Sequence, residues 1–151
     1  MRTGSVIQIV FLCAFLAELF LIAYKDRKYM KIPNRLILAM GVLGIFSIPF
    51  FPEINLLQRG IGVLVISVPL FLCTFILPGS FGGGDIKLMA AVGLFLGWER
   101  TLFSFVAAVL AAGVCCLLML ALKKLTRKSQ IPFGPFLSLG AAVAAVSLCF
   151  Y

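Results

Sequence analysis

Six apolar runs, set apart by short clusters of charged residues, proline and glycine, leave this chain few folds to choose from. They fall near residues 5–24, 36–51, 60–77, 86–98, 101–122 and 134–151, and most approach the roughly 20 residues that a helix needs to cross a bilayer. Of the 151 residues, 63% are hydrophobic and only 12% are charged, more apolar than a soluble domain of this size requires. In lipid a segment must satisfy its own backbone polar groups, so such runs span as helices. The expectation is an all-α, polytopic membrane helix bundle of about six transmembrane helices, forming a single membrane-embedded domain over residues 1–151. The first run exceeds the ~15 residues of a signal-peptide h-region, and no small-x-small cleavage pattern precedes Lys25. It reads as a retained helix.

Lys and Arg in short loops stay on the cytoplasmic side. With the N-terminus outside, Lys25, Arg27, Lys28, Lys31, Arg35, Lys87, Lys123, Lys124, Arg127 and Lys128 lie inside. Only Arg2, Arg59 and Arg100 lie outside, so 10 of the 13 basic residues obey the rule. Both termini are then extracytoplasmic. These loops and their contact with anionic lipid account for the +8 net charge, so no nucleic-acid partner is expected. Cys13, Cys73, Cys115, Cys116 and Cys149 lie within apolar runs and form no CxxC, as small buried hydrophobes do.

The chain contains no histidine. That removes HExxH zinc sites and Ser-His or Cys-His nucleophile pairs, and neither a metal nor a cofactor is expected. The acids are Glu18, Asp26, Glu53, Asp85 and Glu99. Glu53 and Glu99 sit in outward loops beside Pro52 and Trp98, where a solvated surface charge is the simplest role. Chemistry is left to Asp26, Asp85, Glu18, or a pair made by Ser80 and Lys87.

Asp85 follows Gly82, Gly83 and Gly84 and opens an apolar helix. Capping is its simplest role, since a helix start favours an acid. Capping explains neither three glycines nor the depth. If Trp98 marks the outer interface, the helix over 86–98 rises only about 20 Å, against a hydrocarbon core of roughly 30 Å. Asp85 would then lie inside the inner leaflet, where non-helical backbone must be shielded or line a wet cavity. Asp26 stands just past the first helix among lysines, and a solvated charge is its simplest role. Glu18 lies two turns earlier on roughly the same face and points into the bundle. Two acids that meet can share one proton and hydrolyse an amide.

Three stretches then take on a pattern. Asp26 is followed by Ile32, Pro33 and Asn34; Phe81 leads into Gly82, Gly83, Gly84, Asp85, Ile86, Lys87, Leu88, Met89 and Ala90; and Ile131 leads into Pro132, Phe133, Gly134, Pro135 and Phe136. In this order, from Tyr24 to Gly140, the chain resembles the prepilin peptidases, aspartic proteases of the GxGD class. The resemblance implies catalysis by Asp26 and Asp85, which should converge at the cytoplasmic end of the bundle. It implies supporting roles for Gly82, Gly83, Gly84, Lys87, Ile32, Pro33 and Asn34, and for the turn Pro132, Phe133, Gly134 and Pro135. It also implies prepilin or pseudopilin substrates, cut between a basic leader and an apolar helix at the cytoplasmic face of the bacterial inner membrane. The substrate helix would be gathered laterally on small-residue faces such as Ala90, Ala91 and Gly93. Larger members carry an N-terminal domain with paired CxxC motifs and methylate their product. This sequence has none, so it resembles the small, peptidase-only members serving Flp/Tad-type pili, and no methylation is expected. The alternative is a small proton-coupled carrier or assembly scaffold, in which membrane acids need not meet.

Overall fold

The computed structural model describes residues 3–79, 81–122 and 132–150. Ser80, Ile131 and the basic residues Arg2, Lys123, Lys124, Arg127 and Lys128 lie outside them. The described chain forms α1 (Thr3–Tyr29), α2 (Asn34–Phe46), α3 (Leu56–Ile76), α4 (Gly83–Leu96), α5 (Trp98–Ala121) and α6 (Gly134–Val146), with 3-10 turns at Ile48–Phe50 and Ser147–Phe150. No described residue is in a strand.

The helices come in two lengths. Val6–Tyr29, Leu56–Ile76 and Trp98–Ala121 are long and apolar enough to cross a membrane. Helices α2, α4 and α6 have 13, 14 and 13 residues, about 20 Å each and short of the hydrocarbon core. Successive helices run back and forth, so all three short helices start at the end where α1 finishes. Local chemistry sets these boundaries. Pro33 caps α2 in extended conformation, and α6 opens with proline in its first turn, where the missing N–H costs nothing. Gly97, at φ +77°, breaks the chain between α4 and α5, so Trp98 begins a helix rather than ending one. Helix α1 runs on through Asp26 because Lys25, Arg27 and Lys28 are good helix formers and basic residues suit a last turn. Asp26 is therefore helical, not in the loop that follows.

The surface is apolar and the interior holds the polar groups, as expected of a bundle solvated by lipid. Phe20, Leu38, Leu57, Phe71, Phe75 and Leu110 are exposed. Asp26, Ser47, Arg59, Asp85, Thr101, Ser104 and Ser138 are buried. The core centres on Phe15, stacked on Phe95 at 4.2 Å between ring centroids, with Leu19, Ile22, Met40, Leu88 and Met89 around it. Helices α3 and α4 touch backbone to backbone at Gly62 and Gly93, where a Cβ on either would run into the other's chain. That contact corrects one expectation: Gly93 is spent on α3, so it is not free to receive another helix.

Arg59 departs from its expected place in an outer loop. It lies in the first turn of α3 at the end away from Asp26, only 1% exposed. Its guanidinium donates to Leu94 O at 2.8 Å, Ser47 Oγ at 3.0 Å, Ile54 O at 3.3 Å and Gly44 O at 3.4 Å. Gly44 and Leu94 belong to the last turns of α2 and α4, whose carbonyls lack intrahelical donors. A cation there satisfies them and complements both dipoles.

Candidate functional site

The last turn of α1 and the first turns of the three short helices meet at one end of the bundle. Asp26 descends from α1 and is 7% exposed; Asp85 rises from the first turn of α4 and is 9% exposed. Both line a cavity of about 260 Å³, together with Met30, Lys31, Ile32, Asn34 and the three glycines Gly82, Gly83 and Gly84. The two carboxylates are close enough for their charges to act on each other.

Each carboxylate is held by a backbone donor. The Gly82 N–H bonds to the Asp85 carboxylate, with Gly82 as N-cap of α4. This is the acid half of a capping box, an N3 side chain reaching back to the N-cap. Asp26 accepts from the Gly134 N–H, 3.0 Å from its Oδ2. That N–H belongs to the first turn of α6, one of the donors left over at any helix start. An anion is favoured at each of these N-termini.

Glycine at 134 is required by this contact. A Cβ there would sit 2.5 Å from Asp26 Oδ2 and 2.8 Å from its Cγ. Among the three consecutive glycines the demand is uneven: a Cβ on Gly84 would press on the Ile32 side chain at 3.0 Å, whereas one on Gly83 meets nothing within 4 Å. None of the three has positive φ, so close approach rather than a tight turn is what distinguishes Gly84.

The remaining expected residues fall around this centre. Ile32 and Asn34 line it, and Pro33 lies between them. Lys87, exposed, donates to Asn34 Oδ1 at 3.4 Å and ties α4 to α2. The pairing of Lys87 with Ser80 falls on a residue outside those described. Pro132 and Pro135 flank Phe133 and Gly134 where α6 begins. Phe133 meets Phe81 with ring centroids 5.9 Å apart, joining the two segments that enter α6 and α4. Met30 and Lys31 were not named as site residues from the sequence, and Phe81, which opens the glycine-aspartate stretch, was given no role there; its signal is that, like Phe133, it directly precedes a glycine at a helix start. Met30 adopts φ +49°, a left-handed conformation uncommon outside glycine. Glu18 does not line the cavity among the described residues; its Oε2 is buried in the bundle with no described partner.

The model of the type IV leader peptidase family matches residues 13–117. A prepilin leader peptidase/N-methyltransferase of Bacillus subtilis (strain 168) is 28% identical over 95% of this chain and 58% of its own length. One from Legionella pneumophila is 25% identical over 93% of this chain and 51% of its own length. A third, from Pseudomonas aeruginosa, is 31% identical over 43% of this chain and 22% of its own length. The chain spans about half the length of the first two relatives. No solved structure matches it.

Proposed function

Because the chain belongs to the type IV leader peptidase family, we propose that it is an aspartic endopeptidase that removes leaders from prepilin-like precursors. Asp26 and Asp85 are its catalytic pair. The observation that carries this reading is that the two acids, 59 positions apart in sequence, line one small cavity at the end of the bundle. A carrier has no need of that pairing. The whole chain from 1 to 151 then acts as one membrane-embedded peptidase domain.

In the ground state the pair shares one proton. The ionised carboxylate takes a proton from water as its oxygen bonds to the scissile carbonyl carbon, while the protonated partner gives its proton to the carbonyl oxygen. The tetrahedral diol then collapses. The amide nitrogen receives a proton as the C–N bond breaks, and the acids are left again with one proton between them. The titration belongs to the pair rather than to either residue. Gly82 and Gly134 fix the two carboxylates by their backbone N–H groups.

Lys25, Arg27, Lys28, Lys31, Arg35 and Lys87 cluster at the aspartate end, whereas Arg59 and Arg100 are at the other. This asymmetry supports an inner-membrane orientation with the cavity facing the cytoplasm.

Asp26→Asn and Asp85→Asn, each in membranes supplied with a prepilin, should lower cleavage by about 10²–10⁴-fold, the scale of a lost general acid or base, with unchanged thermal unfolding. Near-normal cleavage by either variant would refute the shared mechanism.

A further inference from the structure

A second concavity adjoins the aspartate cavity. It is a groove of about 520 Å³ between α2 and α4, with Asn34 and Lys87 at one end and Ile45 and Leu94 at the other. Asn34 lines both spaces, and its side chain accepts the Lys87 ammonium at the junction. The groove opens sideways, since Leu38, Val42 and Ile45 on its wall are exposed. Its floor is low where Gly41 and Ala90 face it. A Cβ added to Gly41 would meet nothing within 4 Å.

We propose that this groove docks the apolar helix of the precursor, and so sets which peptide bond reaches the acids. The proposal rests on the peptidase reading and names where that site holds its substrate. Two features favour a polypeptide helix over a lipid tail. From Asn34 to Ile45 the groove follows α2 for about 16 Å, three turns of helix, over small residues that let a helix backbone approach. It also ends at the rim of the aspartate cavity, a continuity that a tail would not use and a chain being cut requires. Helices α2 and α4 both start at that rim. A helix laid parallel to them places its own N-terminus, and the leader before it, beside Asp26 and Asp85.

Two measurements test this. Gly41→Leu fills open space and replaces glycine by a better helix former, so unfolding should be unchanged. It should raise KM for a full-length prepilin by about tenfold or more, the scale of one lost apolar contact, and leave cleavage of a short leader peptide lacking the helix unaltered. Separately, a photoreactive residue at Val42 in the Asp85→Asn background should crosslink to prepilin, whereas one at Leu110, exposed on α5, should not. An unchanged KM, equal adducts from both positions, or adducts at position 42 with lipid or a second copy alone overturn the docking proposal. If the unaltered chain cleaves no prepilin, the peptidase reading fails and docking fails with it. Cleavage without preference for position 42 defeats docking alone.

Discussion

Asp26 occupies the last turn of α1, where the unpaired carbonyls of its own helix oppose a negative charge. Asp85, in the first turn of α4, obeys the same electrostatics. The first acid is therefore the more dependent on its surroundings, and Gly134 is the described group that bonds to it. Gly134→Ala should displace the Asp26 carboxylate and lower kcat by roughly 10²-fold, as misplacement by about 1 Å can. Its melting temperature should fall only modestly, because the new methyl meets one side chain rather than backbone; an unaltered kcat would mean that the Gly134 contact does not position Asp26. The two aspartates were legible in the sequence because acids are so few in it and each stands beside glycine, proline or lysine at the edge of an apolar run. The Gly134 contact was not. It joins residues 108 positions apart, through a helix approach that no local pattern encodes.

At the scale of the helices, number was easier to read than length. Hydropathy separates six runs, but Gly97 and the continuation of α1 past residue 24 depend on backbone conformation and helix propensity, which hydropathy does not report. Arg59 was misread for a related reason. It borders an apolar run and resembles a loop charge until the carbonyl ends of α2 and α4 are brought to it. Arg59→Met should destabilise the protein by roughly 3 kcal/mol, since several buried carbonyls lose a charged donor at once. Arg59→Lys should recover little of that, because a single ammonium cannot reproduce the planar fork. Denaturant unfolding in detergent micelles measures both. If Arg59→Met unfolds like the unaltered protein, those hydrogen bonds contribute little net stability.

For the molecule as a whole, charge asymmetry and apolar spacing were enough to anticipate which end of the bundle gathers the aspartates. The shortness of α4 could be read from the spacing of Asp85 and Trp98, but not that α2 and α6 share it. The short helices give the bundle a recessed floor from which α4 and α6 each offer a backbone donor to one acid. Two co-expressed pieces, divided between residues 122 and 132, should restore cleavage by reassembly, whereas the larger N-terminal piece alone should be at least ~10²-fold less active. Activity in that piece alone would mean Asp26 does not need α6. The bond between Asp26 and Gly134 also sets a schedule: the acid on α1 gains this donor only once α6, more than a hundred residues later, has been made. Until α6 has joined the bundle, that carboxylate lacks the backbone donor that holds it.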